Sequence, residues 1–567
     1  MFTHTEDVGI GNEVYVLGSH QDMGGGMLEQ AIKLTWSTGH VWSATIAVEA
    51  GATVNYQFIK RTNSKTTWCD SGNSTALTGT LNLQVPAHEY GPYTGKTILY
   101  YSSWSTVEIR YRDLKTGGAW TQVAMQNIGA GRVAGESTYR VDGIASSGGG
   151  IEFIFTDTAT GYDNAPAPPT NSSSGAAPAT PLAYENLTAP YNYLTNLDVF
   201  LVQDGGIYNY RPANTVAAAR KETHFITSNQ AGFPSRNVQV LLPRGYDVHP
   251  DKRYPTLYLH DGQNVFFPGS PTFGTWDADR VASYETRMGR MRECIIVAID
   301  NGGSQRIAEY TPPNDVVYGD SPNMGQADDY LTFLTDDLKP WVDANFRTSS
   351  IKNGQHVPRE TAVAGSSLGG MVSDYISLTR NDVFGMAGLF SSAYWVAPNY
   401  QAVRNAAAKL PRRIYIDIGT DEGDPSFWND TQNAYNVWTG QGYVMNQELR
   451  MVVGCGQDHN EAAWARRLPG FLHFMLDPWL EPNWLLEELY PPKLTFGSLA
   501  NGTATIQLQA RRGVPYTLFG SDKLSEWSSR QTTEQWDKIW KTVPLTDTGW
   551  VAPQGKFFWR VGYPITP

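Results

Sequence analysis

The chain has 567 residues, a formal net charge of −12 and only 17% charged residues. Lys and Arg are scattered, which excludes the basic stripe of a nucleic-acid binder and the patch needed for an anionic membrane surface. The length exceeds what one core supports and predicts roughly three to five domains, while three distant cysteines, Cys69, Cys294 and Cys455, form neither a metal-binding CxxC pattern nor a disulfide framework.

In chain order, "MFTHTEDVGIGNEVYVLG" lacks the basic start and apolar centre of a signal peptide. No apolar run approaches the roughly 18 residues of a membrane span. The low charge and the abundance of Gly, Ser, Thr, Asn, Trp and Tyr predict an exported glycan-handling protein whose leader was removed before residue 1. Residues 1–95 carry short alternating runs such as "NEVYVLG", "VWSATIAV" and "VNYQFIK", and residues 96–164 carry "KTILYY", "VEIRYR" and "GIEFIFTD". Gly, Ser and Asn turns separate the runs, so both segments predict β-sandwiches.

The stretch "APAPPTNSSSGAAPATP" has almost nothing to bury, so 165–189 reads as a Pro/Ala/Ser linker between halves that fold independently. Over 190–485 the texture changes. Buried-strand runs "TLYLHDG", "CIIVAID" and "TAVAG" alternate with helical patterns such as "QADDYLTFLTDDLKPWVDANF", predicting a parallel sheet flanked by helices. Strand patterns return over 486–567, a small C-terminal β module without recognisable chemistry.

The chemistry lies in the third segment. Gly365-Ser366-Ser367-Leu368-Gly369 satisfies G-x-S-x-G, with an apolar strand before it and a helical pattern after it. That context turns a common Gly-Ser turn into a candidate nucleophile elbow at Ser367. In an α/β-hydrolase the acid and then the histidine follow the serine, and only His459 and His473 remain. His459 sits in a Gly-rich loop past a strand, "MVVGCGQDHNEAAW", whereas His473 sits within a helical pattern as a packed residue. The acid should follow the strand in "RRIYIDIGTDEGDP", where Asp421, Glu422 and Asp424 all qualify; Asp417, inside the strand, reads as structural. His260-Asp261 has no further ligand at metal spacing, so no metal and no cofactor are expected.

From about 200 to 480 the chain resembles the putative esterase family, which includes esterase D, feruloyl and acetyl-xylan esterases, enterochelin esterase and mycolyltransferases. The residues carrying the likeness include "YPTLYLHDGQNVF", "IIVAIDNGGSQRIAEYTP", "AVAGSSLGGM", "IYIDIGTDEG" and "DHNEAAWARRLPGFLHFML". The resemblance implies an α/β-hydrolase fold, Ser367 as nucleophile, His459 as base and Glu422 as acid, with Asp421 one residue away. It also implies an oxyanion hole from the N–H of Leu368 and one from Gly262 or Gln263, glycine letting the backbone approach the substrate.

Residues 8–90 resemble the family 20 starch-binding module, through "GNEVYVLGS", "AIKLTWSTGHVWSATIAVEAGATVNYQFIKR" and "TTWCDSGN". The likeness implies glucan contacts at Trp68 and Asn73, with Trp36 a candidate for a second site because "QDMGGG" stands where another Trp is usual; Trp42 reads as core. Residues 96–164 resemble the family 25 module, implying stacking at Trp120 and at Tyr162, which replaces a Trp. The expectation is therefore an extracellular, starch-targeted serine esterase whose partners are an α-glucan and an acyl ester, with no nucleic acid and no membrane. Two alternatives stand beside it: an enzyme that degrades or transfers the glucan itself on this fold, which would normally require a pair of flanking carboxylates, and a non-catalytic starch-binding scaffold.

Overall fold

The computed structural model describes residues 2–5, 13–18, 31–44, 46, 56–61, 68–70, 95–113, 117–145, 150–158, 161–168, 189–195, 197–212, 218–444, 447–454, 456–477, 484–489, 493–500, 503–511, 517–523, 526–532, 540–547 and 558–562. Its centre is an eight-stranded sheet: β1 (Arg220–Ile226), β2 (Arg236–Leu242), β3 (Thr256–His260), β4 (Ile295–Ile299), β5 (Thr361–Ser366), β6 (Met386–Phe390), β7 (Arg413–Gly419) and β8 (Leu449–Gly454). The spatial order is β1-β2-β4-β3-β5-β6-β7-β8. β1 and β2 run antiparallel to their neighbours, and every pairing from β4 through β8 is parallel.

The parallel strands explain the sequence pattern. Strands β3, β4, β5 and β6 are buried at every position, because helices cover both faces, and so they read as continuous apolar runs rather than as alternations. Their residues divide between two cores. Tyr258, Val297, Val363 and Leu389 face one, and Leu257, Ile296, Ala364 and Phe390 face the other. Helices α1 (Leu368–Thr379), α2 (Pro398–Ala406), α3 (Pro425–Gly440) and α4 (Glu461–Met475) follow β5, β6, β7 and β8 respectively.

Two small sheets account for the described N-terminal residues: Phe2–Thr5 with Val41–Ala44 and Thr35–Ser37, and Glu13–Gly18 with Ile32–Lys33, Tyr56–Arg61 and Trp68–Asp70. Phe2, Val14, Val16, Leu34, Trp42 and Tyr56 pack together, so Trp42 is core as its alternating strand implied. Past 493, two three-stranded antiparallel sheets contain the described strands.

The second sandwich departs from expectation. One of its sheets joins Gly117–Ala124, Glu108–Asp113, Ile151–Thr156 and Tyr162–Asp163, but Tyr193–Thr195 also pairs with Ile151–Thr156. In the other, Val199–Gln203 runs parallel to Lys96–Ser102, and Gly206–Tyr208 completes the edge. Strands from beyond the Pro/Ala/Ser stretch are thus built into the sandwich before it, and neither the boundary at 190 nor independent halves survives. Buried Lys96 donates to Asp198 Oδ1 at 3.0 Å and to the Leu197 carbonyl, tying the two chain segments together. Ile98, Phe153, Tyr193 and Phe200 belong to the same buried cluster as Leu257, Trp276, Phe390 and Trp464 of the α/β layer. A composition rich in Pro, Ala and Ser reports that a segment buries little; it does not report what its flanks pair with.

Candidate active site

Ser367 lies between β5 and α1 with φ 58° and ψ −121°, a backbone conformation costly for a non-glycine residue and held only where its surroundings over-determine it. The hold is visible. The Ser367 N–H donates to the Phe390 carbonyl at 2.9 Å, and its own carbonyl accepts from Ala393 at 3.0 Å and Met371 at 3.2 Å. Gly365 is required because a Cβ there would stand 2.8 Å from the Gly369 carbonyl carbon, where strand and helix cross. Leu368 opens α1, and its N–H therefore has no partner within the helix.

The acid and histidine loops follow β7 and β8. His459 Nδ1 is 2.5 Å from Glu422 Oε2. Glu422 Oε1 accepts from the Gly419 N–H at 2.7 Å and from Ser391 Oγ at 2.5 Å. Burial pushes the Glu422 carboxyl up, but the His459 hydrogen bond, the Arg467 charge and the Ser391 hydroxyl together hold it below the usual range. Asp421, the neighbouring alternative, turns the other way: its carboxylate accepts from Thr420 Oγ1 at 3.0 Å and its N–H donates to the Gln457 carbonyl. Asp424 caps α3, accepting from the Ser426 N–H. His473 bonds Glu285, itself paired with Arg290, away from the other residues.

Two residues around Glu422 escaped sequence reasoning. Ser391, at φ 42°, gives its hydroxyl to Glu422 and accepts from Trp464 Nε1 at 3.0 Å and Arg467 Nη2 at 2.8 Å. Arg467, buried in α4, also donates to the Gln457 side chain at 2.8 Å and lies 3.0 Å from Asp417. Burial raises the Asp417 carboxyl to about 6, Arg467 opposing it. The signals were faint, being a serine after a strand and an arginine in a helix, and only the folded chain brings them to one carboxylate.

The "HDGQN" loop packs beside the elbow: a Cβ on Gly369 would be 3.2 Å from Asp261 Oδ2 and 3.5 Å from His260 Cβ. Asp261, at φ 56°, accepts from Arg306 Nε and Nη2 at 2.6 and 2.8 Å and from Asn301 Nδ2 at 2.6 Å. The Gln263 side chain exchanges two hydrogen bonds with Asn301, and Asn264 reaches Glu461 beside the histidine loop at 3.0 Å. At Gly262 a Cβ would lie 2.6 Å from the Ile299 backbone, so glycine permits close packing of this loop on β4. His260 is fully buried against Tyr330, and burial lowers it to about 3, a neutral structural imidazole. Among the described residues no cluster suited to a metal ion occurs.

Of the expected glucan contacts, Trp36 is 51% exposed, Trp120 40% and Tyr162 53%. The Arg112 guanidinium lies 5.0 Å over the Trp120 ring and that of Arg110 5.6 Å over Tyr162, so a sugar would have to share or displace a cation on those faces. The strand Trp68–Asp70 is described, but the Trp68 side chain and Asn73 lie outside the described residues.

Comparison with known proteins matches residues 233–480 to the family described as putative esterase and residues 1–85 to the starch binding domain. An uncharacterised Bacillus subtilis (strain 168) protein, YbbA, is 24% identical over 201 residues, spanning 35% of this chain and 72% of its own. An endo-1,4-beta-xylanase/feruloyl esterase of Xylanibacter ruminicola is 29% identical over 226 residues, 38% of this chain and 28% of that protein. Among solved structures, a ferulic acid esterase from Anaeromyces mucronatus aligns at 21% identity and a TM-score of 0.34, covering 48% of this chain and 95% of that one. Ferric enterobactin esterase from Salmonella typhimurium aligns at 16% identity and a TM-score of 0.34, over 66% of this chain and 89% of its own. Residues 233–480 are thus similar to the putative esterase family, and residues 1–85 ahead of them to the starch binding domain.

Proposed function

We propose that the chain is a starch-targeted serine esterase in which Ser367 is the nucleophile, His459 the general base and acid, and Glu422 the residue that orients it. Ser367 Oγ attacks the ester carbonyl carbon while His459 Nε2 takes its proton; the N–H groups of Leu368 and of Gly262 or Gln263 stabilise the oxyanion. The carbonyl re-forms as the alkoxide leaves, protonated by the imidazolium. Water then attacks the acyl-enzyme by the same base, releasing the acid and restoring Ser367. The observation supporting this reading is the buried carboxylate of Glu422 on Nδ1 of His459, in the loops after β7 and β8, together with Ser367 held at φ 58° after β5 of the same sheet. A carboxylate there fixes the tautomer whose free nitrogen is Nε2 and stabilises the imidazolium.

The N-terminal domain would hold the enzyme on α-glucan, and the exposed Trp36, Trp120 and Tyr162 would supply apolar faces for sugar C–H groups. The test is Ser367→Ala in the full chain, which should abolish p-nitrophenyl ester hydrolysis and leave retention on insoluble starch intact. Substantial residual turnover would remove Ser367 from the reaction, and loss of starch retention together with activity would point to misfolding.

A further inference from the structure

An aromatic row leads away from His459. The Phe427 ring lies 4.3 Å from the imidazole, Trp395 is 6.4 Å from Phe427 at a right angle, and Tyr318 is 5.0 Å from Trp395, again edge to face. Phe427 and Trp395 are half-buried and Tyr318 is 58% exposed, so the row rises from the site to the surface. Its outer end is fixed in place. Asp315 accepts from the N–H groups of Asn399 and Tyr400 at 2.8 and 2.9 Å, binding the Tyr318 loop to α2, and a bridge between Val316 and Met324 closes that loop. Exposed Asn314, Asp320 and Asn323 stand in the same loop.

The direction of the row has a chemical meaning. In acyl transfer the imidazolium returns its proton to the departing oxygen, so the alcohol half of the ester lies on the histidine side of the carbonyl. A ring packed on that imidazole therefore flanks the alcohol, not the acyl group. Flat apolar faces edged by hydroxyl and amide groups suit a pyranose, whose C–H faces are apolar and whose rim is polar, and the chain carries a starch binding domain. We propose that Phe427, Trp395 and Tyr318 form the subsite for the glucan alcohol of the ester, so that the domain selects its own sugar as well as being delivered to it. This rests on the assignment of His459 as the catalytic acid.

The test compares kcat/KM of the full chain on acetylated maltotetraose and on p-nitrophenyl acetate. Both give the same acetyl-enzyme, so the ratio isolates the alcohol side, and sequestration of tetraose by the N-terminal domain affects all variants alike. Trp395→Leu should lower the ratio about tenfold and Tyr318→Ala, at an exposed position that cannot unfold the core, about fivefold. A ratio within twofold of wild type in both variants overturns the subsite. A loss confined to methyl ferulate also overturns it, since the row would then hold an aromatic acyl group. Turnover of p-nitrophenyl acetate by Ser367→Ala would remove the underlying triad, and the subsite with it, whatever the ratios.

Discussion

Replacing Glu422 by Gln tests the site at its most constrained atom. The carboxylate receives three donors: His459 Nδ1 on Oε2, and Ser391 Oγ with the Gly419 N–H on Oε1. Gln has one acceptor oxygen. Placed at the Oε1 position, it keeps Ser391 and Gly419 but turns its NH2 towards His459, which can then meet it only as an acceptor at Nδ1. The ring proton moves to Nε2, the nitrogen that must accept from Ser367. Placed the other way, the NH2 faces two donors inside a buried network that includes Arg467, which leaves polar groups unpaired. The first arrangement is the less costly, and it favours the wrong tautomer. The expected loss is on the order of 10⁴ in kcat, equivalent to about 5.4 kcal/mol of transition-state stabilisation, with KM little changed. Asp421→Asn should stay within about threefold, because its carboxylate bonds Thr420. Both variants are assayed on p-nitrophenyl acetate, with far-UV circular dichroism and urea unfolding to establish the native fold. A Glu422→Gln enzyme within tenfold of wild type, or a larger loss for Asp421→Asn, would refute the assignment.

His459→Ala should lower kcat about as far as removing the serine, whereas His473→Ala should lower the urea midpoint by breaking its bond to buried Glu285 and leave kcat near wild type; the two assays separate the roles. Glu422 also makes a pH prediction. Its native carboxyl is held below the usual value of 4.5, so the stability it contributes is complete above that value and is lost as pH falls through the lower native one. Urea midpoints taken between pH 7 and pH 3 should therefore fall more steeply in wild type than in Glu422→Gln; parallel curves would show that the carboxyl is not held low. Finally, a protease nick engineered between 169 and 188 should leave both fragments eluting together on size exclusion, because Val199–Gln203 pairs with Lys96–Ser102 and Tyr193–Thr195 with Ile151–Thr156. Fragments that separate without denaturant would contradict that sheet pairing.

The sequence alone determined what is local or strictly ordered. The elbow at Ser367 is a strand, a Gly-flanked serine and a helix in consecutive residues. The α/β layer is legible because strands buried on both faces must be apolar throughout, and the order of serine, acid and histidine left only two histidines to weigh. Tertiary structure decided whatever depends on residues distant in the chain. Glu422, not Asp421, meets His459, because direction in a turn just past a strand is set by the donors around it, and Gly419 of β7, Ser391 after β6 and Arg467 of α4 converge there. That Gly262 must clear the backbone of β4 is likewise a contact between residues distant in the chain. The boundary at 190 failed for the same reason: strand pairing is a long-range choice, and composition records only how little the intervening segment has to bury.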